Sequence, residues 1–252
     1  ADLQVVRDAV SAGNGELVDA LTQRSRADIR LNTEVTRIRD EGGAVQISYR
    51  EARGESLIEA RQVICTTDAA TALKLLSVVR SESRKFFSSV KYHGGITINM
   101  GMKRDPLPGI GYIVHSTANP HVLFKSAHPQ QRMIVLTGYM SVEQLENPGA
   151  IDRKIVTEKA IDSLKDYGIA IATPEIAFAD VEFWDKIGPV ISAQTYADWS
   201  AEMLAPSENV FLAGDYTYVT YPNPLPYGIS PAINSGYAAA AKIMNRREKW
   251  NR

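Results

Sequence analysis

The residues best suited to chemistry lie near the end of the chain, in the segment NVFLAGDYTYVTYPNPLPYGISPAINSGYAAAAKI. An apolar strand over 209–213 leads into Gly214 and Asp215, so that a carboxylate stands where the chain leaves the sheet. Open α/β folds bind their ligands at this edge. A helix that begins near Ile229 would present free backbone N–H groups and a positive dipole end, which suit a negatively polarised ring or a phosphate.

An ordinary structural interpretation accounts for the same segment. Asp215 can cap a turn, while Gly236, Ala238, Ala239 and Ala240 can pack one helix closely on a sheet. If the segment binds a ligand, that small-residue face lets other groups approach closely. The pattern alone does not favour ligand binding over packing.

The segments before this tail predict the elements that position it. Apolar residues at helical spacing in GELVDALTQR predict a short amphipathic helix. Strand patterns cut by turns at 40–43 and 53–55 predict a β-meander, which ends in an apolar strand over 62–65. From about 88 to 140 the β-rich pattern continues and fits an antiparallel or mixed sheet.

Helical periodicity returns in the second half of the chain. A helix is predicted over 149–168, ending at Gly168, and its apolar face consists of Ile151, Ile155, Ala160, Ile161 and Leu164. A strand in IAFADVEFW and a small-residue helix over 229–245 follow. This order of elements predicts an α/β fold of mixed α+β character, arranged as two discontinuous lobes.

Composition excludes several classes of function. The 252 residues carry 28 basic and 29 acidic side chains, a net charge of -1, so that no summed field would attract nucleic acid or an anionic membrane surface. No apolar stretch reaches the about 20 residues that span a bilayer. The single cysteine, Cys65, excludes an internal disulfide and suits a reducing compartment, which predicts a cytoplasmic protein.

Other candidate sites are weaker. The chain has no GxSxG elbow and no Walker loop, and Cys65 lies in an apolar strand, where a cysteine usually acts as a small hydrophobic residue. The region of Trp184 and Trp199 could line a substrate cavity, although core packing explains most of its aromatic residues. No metal site is predicted, because the histidines lack an i,i+4 pair and cysteine companions; they are His93, His115, His121 and His128.

FLAGDYT followed by GISPAINSGYAAA resembles the C-terminal flavin-binding motif of the flavin-containing amine oxidase superfamily. That superfamily includes monoamine and polyamine oxidases, protoporphyrinogen oxidase and carotenoid desaturases. The segments GELVDAL, LNTEVTRI and EARQVICTTDAATALKLL resemble the same family in the same order. The resemblance covers about 13–75 and 205–245. It implies a partial FAD-binding lobe over 1–80 and 205–252, and a substrate lobe with a mixed or antiparallel sheet over 81–204.

The resemblance also implies which residues would bind FAD. The backbone of Val35 would meet the adenine, and Thr66 and Thr67 would lie along the dinucleotide. Gly214 and Asp215 would contact pyrophosphate or ribityl groups.

A second group of implied contacts lies at the start of the last helix, where Gly228, Ile229 and Ser230 match cofactor-binding positions. Ile229 matches the residue whose backbone N–H faces the flavin O2 and N1. Such a donor stabilises the negative charge that collects there when the ring accepts hydride.

One departure concerns the phosphate-binding loop. Family members begin with a Rossmann unit that carries GxGxxG. GNGELV at Gly13 and GIGYIV at Gly109 each have valine, Val18 and Val114, at the third position. We therefore expect the chain to begin after the dinucleotide-binding half of the family.

The substrate side departs as well. Thr97 matches the position of the lysine that amine oxidases carry on the first strand of the substrate sheet, with Lys91 and Lys103 as displaced candidates. The cage tyrosine near the flavin helix is replaced by glycine, with Tyr227 beside it, and Tyr196 lies near the other cage position. Tyr196, Tyr227 and Thr97 are candidates for the cavity wall, and no catalytic side chain is assigned.

The sequence thus predicts the C-terminal portion of an FAD-dependent oxidoreductase. It would transfer hydride from a substrate C–H to flavin N5, and the departures favour a hydrophobic small-molecule substrate over an amine. The alternative is a non-catalytic truncated module or subunit, which would not retain FAD until the missing N-terminal half or a partner chain completed the site.

Overall fold

The computed structural model describes residues 14–105, 112–114, 122–125, 132–140, 147–190, 201–217 and 228–250. The chain divides into two compact units. One comprises 30–93 and 188–252, and the other comprises 1–29 and 94–187. Each unit is described by itself.

The unit of 30–93 and 188–252 begins with an antiparallel three-stranded meander. Its strands are β1 (Glu34–Asp40), β2 (Val45–Glu51) and β3 (Gly54–Ala60), in the order β1-β2-β3. The β1–β2 turn places Gly42 at φ 86°, and Gly54 at the second turn has φ 117°, conformations that glycine adopts without steric cost. The predicted meander is confirmed.

A parallel pair of short strands forms the second layer of this unit. Strand β4 (Val63–Cys65) pairs with β10 (Val210–Leu212) in the register Val63↔Val210, Ile64↔Phe211 and Cys65↔Leu212. Helices α2 (Ala69–Leu75) and α3 (Ser81–Ser89) follow β4, and 3₁₀ turns occupy Ala201–Leu204 and Asp215–Thr217. The last helix of the unit, α5, spans Ile229–Trp250.

The core of this unit is built on β10, whose residues are buried on both faces. Val210 and Leu212 pack in one cluster with Val45, Phe86 and Tyr216. Phe211 and Ala213 pack with Ala239 of α5 in another cluster. Of the small residues predicted to pack α5 closely, Ala239 is buried, whereas Ala238 is exposed and Gly236 has open space around it.

The other unit contains helix α1 (Asn14–Arg24) and a five-stranded sheet in the order β6-β7-β8-β5-β9. Neighbouring pairs β6–β7, β7–β8 and β5–β8 are antiparallel. The bounds of the strands are β5 Lys91–Met102, β6 Tyr112–Val114, β7 Val122–Lys125, β8 Met133–Tyr139 and β9 Ile176–Val190. Residues 91–93 of β5 and 188–190 of β9 belong to the first unit, that of 30–93 and 188–252.

Helix α4 (Arg153–Ser163) packs on one face of that sheet. The helix predicted over 149–168 is interrupted, because Asp152 caps α4 through the N–H groups of Lys154 and Ile155, and a 3₁₀ turn over Leu164–Tyr167 ends at Gly168. Ala160 and Leu164 are buried as predicted, but Ile155 is 48% exposed, and its assignment to the apolar face was wrong.

On the opposite face of β5, two glycines leave room for side chains of a neighbouring strand. A Cβ at Gly95 would lie 2.5 Å from Cδ1 of Ile187, and a Cβ at Gly101 would lie 2.2 Å from Cε1 of Phe178. Both contacting side chains come from β9. They can lie flat across β5 because glycine has no side chain.

The prediction of a mixed α/β fold is confirmed, since the chain combines a parallel pair, antiparallel sheets and packed helices. Within the described ranges, none of the helices is both long enough and apolar enough to cross a membrane.

Candidate functional site

The two parallel strands end side by side. Cys65 of β4 pairs with Leu212 of β10, and the backbone N–H of Ala213 donates to the carbonyl of Cys65 across 3.0 Å. The segments 66–68 and 213–215 therefore leave the sheet at the same edge, the carboxyl edge at which parallel sheets bind ligands.

Gly214 forms a tight turn at this edge, with φ 149°. Its N–H donates to Oγ of Ser235 across 2.8 Å, and its carbonyl accepts from Oγ1 of Thr217 across 2.7 Å. A Cβ at this position would lie 2.8 Å from Cε1 of Tyr216. Glycine is therefore required both by the backbone conformation and by the close approach of the tyrosine ring.

Asp215 joins this turn to the start of α5. Its Oδ1 accepts a hydrogen bond from the N–H of Tyr216 at 2.9 Å, and its Oδ2 accepts one from the N–H of Gly228 at 3.3 Å. The structure thus brings Asp215 together with Gly228 and the two residues that follow it.

The start of α5 is open to solvent. Gly228 has φ 118°, no atom of the described residues lies within 4 Å of where its Cβ would stand, and its carbonyl accepts from the N–H of Ala232 at 3.1 Å. Ile229 and Ser230 are exposed. The first N–H groups of a helix have no partner within the helix and lie at its positive end, so this surface can receive a negatively polarised group.

Asp68 follows the neighbouring strand β4 and caps the start of α2. Its Oδ1 accepts from the N–H groups of Ala70 and Thr71, and its Oδ2 accepts from Oγ1 of Thr71 at 2.6 Å. Thr66 is exposed, and Thr67 is half-buried with its Oγ1 3.4 Å from Sγ of Cys65. Both threonines lie at the carboxyl edge of the sheet.

Two tyrosines lie behind this edge. The hydroxyl of Tyr92 accepts a hydrogen bond from the N–H of Ala69 at 3.0 Å. Burial raises the pKa of Tyr92 to about 12, and the neighbouring carboxylates Asp68 and Asp215 also raise it, against the hydrogen bond from Ala69.

Tyr216 is more deeply buried, with 1% of its surface exposed. Its ring stacks on Phe86, with centroids 6.3 Å apart and planes inclined by 25°. Burial raises the pKa of Tyr216, and the surrounding Cys65, Tyr92, Asp68 and Asp215 raise it further. Within the described part of the chain, its hydroxyl has no hydrogen-bond partner.

Val35 and Thr97 stand on other elements of the fold. Val35 lies near the start of β1, at the opposite end of that strand from Asp40, which contacts Asn209 just before β10. Thr97 is half-buried on β5 of the other unit, opposite Thr137 of β8. Tyr196 and Tyr227 lie outside the described residues.

Other side chains singled out in the sequence have ordinary positions. Lys91 and Lys103 are exposed, and Cys65 is buried as predicted. His93 lies on β5, and Trp184 is 50% exposed on β9. Several other candidates lie outside the residues that the structure describes: Gly13, Gly109, His115, His121, His128 and Trp199.

Four residues of this edge were not predicted from the sequence. Tyr216 stands inside the FLAGDYT motif, and Asp68 immediately precedes a predicted helix, so both carried a local signal. Ser235 occupies the second turn of α5, where a serine has no distinctive pattern. Tyr92 contacts Ala69, which lies 23 residues earlier in the chain, and no spacing rule predicts that contact.

The profile of the family described as flavin containing amine oxidoreductase matches residues 3–244. Among solved structures, the CLA-producing fatty acid isomerase from P. acnes is similar, with a TM-score of 0.60 and 15% identity, over 90% of this chain and 50% of that chain. At this identity the similarity shows the fold alone, and the chain spans about half the length of the isomerase. None of the curated proteins matches the chain.

Proposed function

The chain belongs to the flavin-containing amine oxidoreductase family, and from this membership we propose that it forms part of the FAD site of an oxidoreductase. One observation carries the proposal: the hydrogen bond between Asp215 and Gly228 unites the carboxylate at the sheet edge with the open start of α5. Carboxyl edges of parallel strands and helix starts are the places where α/β folds hold nucleotides.

The residues of this edge fit the chemistry of a flavin nucleotide. The Asp215 carboxylate accepts hydrogen bonds, as the hydroxyl groups of a ribityl chain require. The N–H groups of Ile229 and Ser230 lie at the positive end of α5, which suits the negatively polarised edge of the flavin ring or a phosphate. The buried hydroxyl of Tyr216 has no partner in the described ranges and offers one more donor.

Each residue has a proposed role. Gly214 and Asp215 would bind pyrophosphate or ribityl groups, and the N–H of Ile229 would stabilise the charge that the ring acquires on reduction. Thr66 and Thr67 would contact the dinucleotide. The Val35 backbone would contact the adenine.

FAD, when bound, supplies an acceptor for a hydride from a substrate C–H. The residues of this chain would orient the substrate and keep water away, and none is required to act as a strong acid or base. We therefore assign no catalytic side chain, and Thr97 stays a candidate for the substrate surface.

The proposed substrate is a hydrophobic molecule, of polyene or porphyrinogen-like character, in preference to an amine. The half-buried Thr97 stands on β5 at the position where the resemblance places the lysine of amine oxidases. The isomerase of similar fold is, by its name, a protein that acts on fatty acids. Both observations favour an apolar substrate.

Anaerobic mixing tests this function. The chain is loaded with FAD and mixed with polyene, porphyrinogen and amine substrates, and loss of the visible flavin band reports reduction. We expect reduction by an apolar substrate and slower or no reduction by amines. The Asp215→Ala variant, which should lose bound FAD, is the control. A chain that holds stoichiometric FAD and is reduced only by amines would contradict the proposed substrate class.

A second candidate is a non-catalytic module whose flavin site a partner chain or a further segment completes. It is favoured by the uneven burial of the parallel pair: Val210, Phe211 and Leu212 of β10 are buried, whereas Val63 and Ile64 of β4 are half-buried. The flavin absorption of the purified chain separates the candidates. A stoichiometrically yellow chain excludes the second candidate, and a colourless chain after FAD addition and dialysis favours it.

A further inference from the structure

A buried hydroxyl lies beside the candidate flavin site without a partner in the described part of the protein. Tyr216 is 1% exposed, yet its hydroxyl makes no hydrogen bond there. Burying a hydroxyl without a partner costs free energy, so native proteins rarely leave one unsatisfied without a reason. The functional role assigned above to Asp215 does not use this hydroxyl.

The tyrosine ring is held on two sides. Gly214 leaves out the Cβ that would lie 2.8 Å from the ring, and the ring stacks on Phe86, which is itself 1% exposed. The hydroxyl therefore has a fixed position and is not free to turn toward solvent.

Four described groups interact electrostatically with this hydroxyl, and three of them stand where the parallel strands end. Cys65 is the last residue of β4, Asp68 follows β4, and Asp215 follows β10. Tyr92 is the fourth group. Of these four described groups, none is cationic, and two are carboxylates. A phosphate at this point would be repelled, whereas an uncharged hydroxyl oxygen would be accepted, since it can receive a bond from a phenol and donate one to a carboxylate.

We propose that the hydroxyl of Tyr216 is a ligand contact, which donates a hydrogen bond to an uncharged oxygen of the ribityl chain of the bound flavin and not to its diphosphate. The inference rests on the proposed function and assigns this tyrosine a role in positioning the cofactor. A buried water on a purely structural tyrosine is the alternative.

Three ligands and one substitution test the contact on the full 252-residue chain. Riboflavin carries the flavin ring and the ribityl chain, and lumiflavin carries the flavin ring without that chain. ADP-ribose carries the diphosphate and lacks both the flavin ring and the ribityl chain. Affinities of the wild type and Tyr216→Phe are measured by flavin fluorescence and, for ADP-ribose, by calorimetry. We expect Tyr216→Phe to weaken riboflavin roughly five- to tenfold and to change the other two affinities less than about twofold.

The Tyr237→Phe variant is the matched control, because Tyr237 is 65% exposed on α5 of the same unit. Thermal unfolding without ligand separates binding from folding, since Tyr216→Phe should unfold at the same temperature as the wild type or a higher one. Unchanged riboflavin affinity, or equal losses for all three ligands, overturns the contact. If the wild type binds none of the three ligands, the proposed function is overturned, and the proposed contact of Tyr216 is overturned as well.

Discussion

The carboxylate of Asp215 accepts a hydrogen bond from the backbone N–H of Gly228, with Oδ2 and N 3.3 Å apart. Asp215 begins the turn after β10, and Gly228 immediately precedes α5. The bond therefore fixes the start of a 22-residue helix against the carboxyl edge of a parallel sheet. The proposed flavin site depends on this arrangement, because the carboxylate and the N–H groups would have to share one surface.

Gly214 should not tolerate a side chain. We expect Gly214→Ala to lower the free energy of unfolding by about 2–4 kcal/mol, because the new Cβ meets the buried ring of Tyr216 in a left-handed backbone conformation. Urea unfolding measures the change. Gly236→Ala on α5 is the control, since nothing lies within 4 Å of its Cβ, and it should stabilise the chain slightly. Equal effects at the two glycines would contradict the packing described for Gly214.

The local pattern of the sequence predicts much of this arrangement. The strand before Gly214, the helix after Gly228 and the meander all follow from periodicity and turn residues. Ile155 was misassigned because it precedes the buried Leu164 by nine residues, about two and a half turns at 3.6 residues per turn, so that the two side chains lie on opposite faces of the helix.

Long-range contacts could not be predicted in the same way. The hydrogen bond between Tyr92 and Ala69, and those between Asp40 and Asn209, join residues that are distant in sequence. Such contacts depend on how the layers pack, and no single segment carries a signal for them. The burial of Tyr216 has the same origin, because it follows from the packing of Phe86 and Gly214 around the ring.

Asp40 links the meander to the residue before β10 by hydrogen bonds. Its carboxylate accepts from the backbone N and the Nδ2 of Asn209 at 2.7 and 3.0 Å, and from the N–H of Gly42 at 2.9 Å. Because Asn209 is buried, we expect Asp40→Asn to cost about 1–3 kcal/mol in urea unfolding at neutral pH. Glu41→Gln, on the same turn, removes an exposed carboxylate and should change stability little.

Because of the same carboxylate, we expect the free energy of unfolding to depend on pH in the acid range. Burial raises the pKa of Asp40, but the hydrogen bonds from Asn209 and Gly42 outweigh it and hold the pKa below its ordinary 3.8. The stabilisation is therefore present above pH 3.8 and is lost as the pH falls through the lower pKa of the folded state. The stability of wild type and Asp40→Asn should converge in this acid range. A constant difference between them would exclude Asp40 as the titrating group.

Because of Tyr92, we expect the free energy of unfolding to depend on pH in the alkaline range. Its pKa in the folded chain is about 12, against an ordinary value of 10.0, so its contribution to stability is present below pH 10 and is lost as the pH rises toward 12. Tyr92→Phe leaves the buried Ala69 N–H without its acceptor and should cost about 0.5–1.5 kcal/mol at neutral pH. Urea unfolding across the alkaline range should show the difference shrinking, and a widening difference would disprove the assignment.

The contact of Gly101 with Phe178 can be tested by a double-mutant cycle. Gly101→Ala should destabilise the chain by about 1–3 kcal/mol, because its Cβ would lie 2.2 Å from the phenyl ring. Most of this cost should disappear when Phe178→Ala is also present, which thermal or urea unfolding of the four proteins will show. Gly149→Ala is the neutral control, because no atom in the described part of the chain lies within 4 Å of its Cβ. Additive effects would mean that the glycine and the ring do not interact.

Nuclear magnetic resonance of the ¹⁵N-labelled chain during titration with FAD tests the central claim most directly, because it locates even weak binding. We expect the same five amide signals to shift together and saturate, and Asp215→Ala to abolish these shifts; the five are those of Gly214, Asp215, Gly228, Ile229 and Ser230. Absence of shifts at these five amides, or shifts confined to the sheet of β5 and β8, would contradict it.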